Sequence, residues 1–428
     1  MSRPRKPLFF KAPAAPRKVA PRELELHIER LSDEGRGIGF VDGKPVFVAG
    51  GLSGERVRAQ LHTDKRELAE ARLLAVLEPA AERIAAPCEL FGRCGGCQLQ
   101  MLDYPAQIAH KQAVLEKLLA PFAVREWAPP LTAEPWHYRH RARLSVTEAD
   151  GKPRVGFKAA HSHTVVAVAA CPVLDRRLQP VLAVLPEWLS RLAQWRWLRE
   201  LIVAVAADGR IGLDWLAEPR LPEADAQSLR QAAAAAGVTV GEPLRYAVPG
   251  QGYDFAFQPG DFTQVNPAAN DRMVARVLDW LAPTAADTVA DCFAGLGNFT
   301  LALAQRAGRV VGFEVVAPMV ERARANAAAL GLTHAEFETL DLFAESAVLP
   351  PGFDKVLLDP PRAGAAQLCR SLARRPPAAL LYVSCNPHTL ARDLHVLTQA
   401  GLGVDRAALV DLFPHTGHSE AMVLLTRR

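Results

Sequence analysis

The stretch Thr288-Val-Ala-Asp-Cys-Phe-Ala-Gly-Leu-Gly-Asn-Phe-Thr300 decides the fold. Thr288-Val-Ala-Asp291 reads as a short strand, and Asn298–Arg306, behind the glycines, reads as a helix. Downstream the alternation continues. Arg309-Val-Val-Gly-Phe-Glu314 is a strand and Pro318–Leu330 a helix. Asp354-Lys-Val-Leu-Leu-Asp359 and Ala379-Leu-Leu-Tyr-Val-Ser384 are two more apolar strands. Strand and helix in alternation from about residue 261 to the end predict a doubly wound, Rossmann-like α/β sheet.

Such a sheet binds ligands outside the carboxyl ends of its strands. Gly295 and Gly297 would let the backbone approach a ligand closely. A dinucleotide fingerprint asks for a third glycine where Thr300 stands. Asp291 can accept from an ammonium group, and Glu314, 17 residues past Gly297, can hold ribose hydroxyls. A nicotinamide cofactor and a plain structural turn are the rival readings. The pattern favours S-adenosylmethionine, which has no pyrophosphate to seat on a helix start. Asp359-Pro-Pro-Arg362 closes another strand at the same edge. Amino-group methyltransferases carry an aromatic residue where Arg362 stands, so amine methylation is disfavoured.

Cys385, in Tyr382-Val-Ser-Cys385-Asn-Pro387, falls just past an apolar run at that edge. A small buried packing residue is the commoner fate of free cysteine. Position and neighbours favour a nucleophile. A thiolate adding to C6 of uracil would activate C5 for methylation, and a base must then remove the C5 proton. His415-Thr-Gly-His-Ser-Glu420 supplies a candidate base in Glu420. Cys292 and Cys369 read as packing residues.

Upstream, Cys88, Cys94 and Cys97 form a Cys-x5-Cys-Gly-Gly-Cys group, joined much later by Cys171-Pro172. Four thiolates suit zinc or a [4Fe–4S] cluster, and a distant fourth cysteine before proline favours the cluster. With seven cysteines unevenly spaced, a secreted disulfide framework is disfavoured. His137-Tyr-Arg-His-Arg-Ala-Arg143 is basic and aromatic. On a strand Arg139, Arg141 and Arg143 would share a face able to meet RNA phosphates, or simply water.

Residues 23–79 alternate with period two between glycine turns, predicting a five-stranded, OB-like barrel. The 428 residues are half hydrophobic and 22% charged, a globular profile. Lys and Arg number 50 against 46 acids, but residues 1–22 hold seven of the cations and no acid. Those residues read as a basic disordered arm, contacting RNA or only solvent. The chain shows no secretory h-region and no membrane-length apolar run, so a cytoplasmic protein without membrane contact is expected.

Together these motifs resemble the 23S ribosomal RNA uracil-C5-methyltransferases of the RlmD (RumA) type, from about residue 23 to the end. The resemblance implies a TRAM barrel over 23–80, then a cluster-bearing central domain over 81–260 with an RNA-binding surface. A helix near 104–120 would pack on the catalytic domain. A class I methyltransferase domain would fill 261–428. It implies a [4Fe–4S] cluster on Cys88, Cys94, Cys97 and Cys171. It implies S-adenosylmethionine bound by Gln264, Phe293, Asn298, Glu314, Asp341 and Asp359. Asp341 stands where the family often has Asn. Cys385 would be the nucleophile and Glu420 the base, with Phe262 near the flipped base. The implied substrate is the uridine numbered 1939 in 23S ribosomal RNA, and the implied state a monomer. Transfer RNA relatives are expected to lack the barrel and the cluster cysteines, which favours ribosomal RNA. Another rRNA or tRNA uridine, cytosine-C5 methylation and a non-catalytic RNA scaffold are the alternatives.

Overall fold

The computed structural model describes residues 18–160, 162–345 and 347–427, with side chains of 18–21 left aside. Most of the basic arm expected over 1–22 lies outside these residues. The chain divides between Ala85 and Ala86 into two compact units.

In the first unit, the alternating sequences build a six-stranded sheet rather than five strands. The sixth, Arg30–Leu31, has two residues, too short to show a period. Inward residues Leu26, Ile28, Val46, Val48, Val57, Ala59 and Ala71 form its core. Gly39 permits a close crossing: a Cβ there would stand 2.4 Å from the His27 carbonyl oxygen.

In the second unit, the catalytic sheet takes β1 Thr288–Cys292, β2 Arg309–Glu314, β3 Ala335–Thr339 and β4 Lys355–Leu358. It continues with β5 Ala379–Ser384, β6 Leu402–Val410 and β7 Glu420–Arg427. Their spatial order is β3-β2-β1-β4-β5-β7-β6, with Glu126–Trp127 at the outer edge. β7 runs antiparallel between β5 and β6, and the others from β3 to β5 are parallel. The central strands are apolar throughout because both faces are covered. Val289, Val310, Leu357 and Leu381 point to one core, with Met273, Val277 and Leu278 of the helix Pro267–Leu281. Ala290, Val311, Val356 and Leu380 point to the other, with Leu390 and Leu394. Leu115 and Leu119 of the helix Tyr104–Leu119 join this second core.

The remaining sheet has six strands, with Arg141–Ala149 and Leu198–Val205 at its centre. It packs on the helices Gln179–Ser190 and Glu223–Ala235 through Leu182, Leu185, Leu189 and Leu229. The hairpin Leu244–Val248/Tyr253–Phe257 precedes residue 261, yet its Tyr246, Phe255 and Phe257 lie in the catalytic core. Among the described residues no helix is long and apolar enough to cross a membrane.

Candidate active site

β1 ends at a turn that folds back on β2. The Phe293 and Ala294 amides both donate to the Phe313 carbonyl, at 2.9 and 3.0 Å. Phe293 takes a left-handed φ of 69° to do so. Gly297 has φ 94°, and a Cβ there would meet Leu301 and Phe337 at 3.1 Å, so glycine is required on both counts. One Glu314 oxygen accepts from the Gly295 amide at 3.1 Å, the other from Val315 and Val316 at 2.8 and 3.0 Å.

Asp291 is fully buried. Thr300 Oγ1 donates to its Oδ2 at 2.5 Å, while Oδ1 has no partner among the described residues. Burial, with a smaller push from the Glu314 charge, lifts this carboxyl to about 7. An orphaned buried carboxylate oxygen beside a glycine turn is suited to a cationic or N–H-bearing ligand. Asn298 exchanges two side-chain hydrogen bonds with Asn270, at 2.8 and 2.9 Å, and its carbonyl accepts from Tyr253 Oη at 2.8 Å. Gln264 is half-buried in the segment leading into the helix that carries Asn270. Phe262, two residues earlier, is 62% exposed. Asp341 is exposed, and its Oδ1 accepts from the Phe343 amide at 2.9 Å. The Phe343 ring lies 5.5 Å from that of Phe293.

The second half of the site comes from strand register. β5 pairs β7 antiparallel with Ser384 opposite Ala421. Cys385 follows Ser384 and Glu420 precedes Ala421, so both stand at this end of the paired strands. Asp359 follows β4 on the other side of β5, and its amide donates to the Cys292 carbonyl at 3.2 Å. Cys385 is half-buried and Glu420 buried. Burial first, then the charges of Glu420 and Asp359, push the Cys385 thiol up to about 12, against the Arg362 cation. Burial and Asp359 push Glu420 far above the usual carboxylate range, again against Arg362. Asp359 rises to about 7 through burial and the Asp291 charge. Four acidic groups therefore share one apolar edge and cannot all ionise together. Arg362 is fixed beside them: its carbonyl accepts from Asn386 Nδ2 at 3.0 Å, and its guanidinium lies 2.7 Å from His418 Nδ1.

Cys88, Cys94, Cys97 and Cys171 are half-buried free thiols. Burial, then the charges of Cys171, Cys94 and Cys88, push Cys97 up to about 12 against a hydrogen bond from Gln100, which places the four in one electrostatic neighbourhood. Gly95 allows this loop to lie against a strand end: a Cβ would stand 2.8 Å from the Lys158 carbonyl. Donor type and grouping fit a thiolate-held cluster. No group of three or more His, Cys, Asp or Glu among the described residues already has metal-holding geometry. Cys292 and Cys369 are buried in the second core, as packing residues.

The arginine face differs from expectation. Arg139 lies before the strand, which begins at Arg141. Arg141 donates to the Pro259 and Gly260 carbonyls at 2.8 and 3.3 Å, and Arg143 pairs with Glu200 at 2.8 Å. Arg141 thus holds the segment ahead of Phe262 and Arg143 is paired with Glu200, so the three do not form one free cationic row. Thr300, Asn270 and Phe343 were not singled out from sequence. Thr300 had been weighed only as a missing glycine, and nothing local links Asn270 to Asn298.

Residues 240–347 and 348–428 match the tRNA (Uracil-5-)-methyltransferase family model, and residues 21–74 the TRAM domain. The 23S rRNA (uracil(1939)-C(5))-methyltransferase RlmD of Pseudomonas fluorescens Pf0-1 is 42% identical, over 96% of this chain and 93% of its own. That of Pseudomonas syringae pv. tomato is 41% identical, over 95% and 94%. Among solved structures, the Pyrococcus abyssi tRNA (uracil-54, C5)-methyltransferase in complex with S-adenosyl-L-homocysteine superposes with a TM-score of 0.73. It is 23% identical and covers 94% of this chain and 100% of its own. The substrate argument rests on sequence identity to the ribosomal RNA enzymes.

Proposed function

The chain belongs to the RlmD family of 23S rRNA (uracil-C5)-methyltransferases, and on that premise we propose how its own residues carry out the reaction. It methylates C5 of a uracil in 23S ribosomal RNA using S-adenosylmethionine, and the uridine is the one numbered 1939 in the names of its relatives. When bound, S-adenosylmethionine supplies an electrophilic methyl group and a positive charge. Asp291, Glu314, Asp359, Asn298, Gln264, Phe293 and Asp341 would hold it. The observation in favour is the unpartnered, buried Asp291 oxygen beside the glycine turn and Glu314.

The target base leaves its stack to reach Cys385, with Phe262 beside it. Cys385 Sγ, as thiolate, forms a bond to C6, and the C5=C6 electrons move onto C5 and O4 as an enolate. The C5 electron pair then forms a bond to the methyl carbon as that carbon's bond to the sulfonium sulfur breaks, its pair staying on sulfur in the neutral thioether that leaves. Glu420 removes the remaining C5 proton; the C5–H electrons re-form C5=C6, the Sγ–C6 bond breaks and the thiolate leaves. The Cys385 thiol sits near 12 amid carboxylates, so a cation arriving among Glu420, Asp359 and Cys385 favours the thiolate. The single observation in favour of this mechanism is that Cys385 and Glu420 flank the paired Ser384 and Ala421 and the Glu420 charge acts on the Cys385 thiol.

Cys88, Cys94, Cys97 and Cys171 would hold a [4Fe–4S] cluster with a structural role, supported by their donor type and by the charge the other three exert on Cys97. The chain works as a cytoplasmic monomer, where its ribosomal RNA substrate is made. The test is mapping of 5-methyluridine in 23S rRNA from cells with and without the protein. The modification should vanish at position 1939 alone. A lost 5-methylcytidine, or a lost transfer RNA methyl group, would overturn the reading.

A further inference from the structure

Asp411–Ser419 carries β6 into β7 and delivers Glu420. It is held by residues from the distant stretch 98–138. Lys111 Nζ donates to Asp411 Oδ1 at 2.7 Å and to the Phe413 carbonyl at 3.0 Å, both side chains being buried. Tyr104 Oη donates to Asp411 Oδ2 at 2.8 Å, and Tyr138 Oη to the Pro414 carbonyl at 3.2 Å. His415 is the focus. Its backbone takes a left-handed φ of 66°, unusual for a residue with a Cβ. Its carbonyl accepts from the Gln98 and Leu99 amides, each at 2.9 Å. Its amide donates to Gln107 Oε1 at 2.9 Å, and its ring stacks on Trp136 at 3.7 Å. Gln107 Nε2 lies 3.1 Å from His415 Nδ1 and donates to the Leu99 and Leu102 carbonyls at 3.0 and 2.8 Å. Gln98 Oε1 accepts from the Gly417 amide at 3.4 Å.

The clamp thus joins the loop directly after Cys97 to the five residues before Glu420. Beyond His415, His418 touches Arg362, the cation that acts on both Cys385 and Glu420. A buried hydrogen-bonded network of this kind fixes one backbone path where several would otherwise compete. A left-handed residue persists when its surroundings over-determine it, and such residues gather at sites whose geometry matters.

We propose that Gln107 and Gln98 are positioning residues for proton removal: they hold His415 in its left-handed conformation and so set where the Glu420 carboxylate stands against C5 of the methylated uracil. This rests on the reading of Glu420 as the base. Thiolate addition and methyl transfer use Cys385 and the cofactor residues, which lie outside Asp411–Ser419. A slackened clamp therefore slows the last step while leaving the first two. The C5–H bond stays unbroken, no electrons return to C5=C6, and the Sγ–C6 bond persists.

The experiment uses the full-length protein, unmodified 23S rRNA transcript and labelled S-adenosylmethionine. Gln107→Met keeps the bulk and removes every hydrogen bond. Gln107→Glu keeps an acceptor for the His415 amide and loses the donors. Gln98→Ala removes only the Gly417 contact of the clamp and the Gly95 contact behind it. In Q107M, kcat should fall at least about tenfold with KM for S-adenosylmethionine within about twofold. A Cys385-linked, methylated RNA–protein adduct should accumulate on denaturing gels. Q107E should fall between Q107M and the unaltered protein, and Q98A should show the same adduct at lower yield. If methyl transfer and adduct formation are lost together in both Gln107 variants, the clamp is structural and the proposal falls. Glu420→Gln is the control. If it accumulates adduct and none of the clamp variants does, the positioning role is wrong and the base assignment stands. If Glu420→Gln itself forms no adduct, both are overturned.

Discussion

Replacing Asp291 by Asn is expected to stabilise the folded protein at pH 8 while weakening S-adenosylmethionine binding. The carboxyl is fully buried, has one oxygen without a partner and sits near 7. An unfolded aspartate titrates near 3.9, so the folded group keeps its proton to higher pH. Between about pH 4 and about pH 7 the native state therefore binds more protons, and stability falls as pH rises. About three pKa units at 1.36 kcal/mol each make this an upper bound of about 4 kcal/mol, complete above about pH 7. Asparagine removes it. The new Nδ2 donor gains no evident partner, which costs about 1 kcal/mol, leaving a net gain of about 3 kcal/mol at pH 8. Below about pH 4 the gain disappears and the unpaired amide leaves the variant slightly the weaker. Urea unfolding of both proteins at several pH values between 4 and 8 reads this directly, with equilibrium dialysis for the cofactor. A stability difference that stays constant with pH, or a variant weaker at pH 8, would refute the reasoning.

Glu420→Gln removes a charge that, after burial, holds the Cys385 thiol up. Iodoacetamide labelling of the Cys385 peptide at pH 9 should speed up about three- to fourfold for each pKa unit recovered, because the thiolate fraction rises about tenfold while its nucleophilicity falls with its basicity. Unchanged labelling would place the two groups out of electrostatic contact. Arg362→Ala should slow the same labelling, since that cation favours the thiolate. Lys111→Met strands the buried Asp411 charge and should cost about 3–5 kcal/mol in urea, largely recovered by adding Asp411→Leu. A loss below about 1 kcal/mol would mean the pair is hydrated. Cys97→Ser should lower iron and sulfide content on purification; full retention would dismiss Cys97 as a ligand.

The catalytic sheet was legible because its strands are short apolar runs separated by helical segments, and Asp291, Glu314, Asp359 and Cys385 each stand at a strand end. The insertion of antiparallel β7 between β5 and β6 was not legible. That register is what brings Glu420 to Cys385, and pairing across the sheet leaves no local sequence signal. The hairpin Leu244–Phe257 alternates like any sheet sequence, so its membership of the catalytic core was invisible. The arginines at 139, 141 and 143 share a sequence period, yet their partners, Pro259, Gly260 and Glu200, come from elsewhere in the chain. The clamp on His415 was out of reach for the same reason: it joins residues about three hundred positions apart, such as Lys111 and Asp411.

The central claim is that Cys385 forms a bond to the uracil it serves. Mass spectrometry of the Glu420→Gln protein, digested after incubation with 23S rRNA and S-adenosylmethionine, tests it most directly. A peptide containing Cys385 should carry one uridine plus one methyl group, and this species should be absent when Cys385→Ala is added. An unmodified Cys385 peptide in a sample that has turned over, or 5-methyluridine formed by the Cys385→Ala protein, would contradict it.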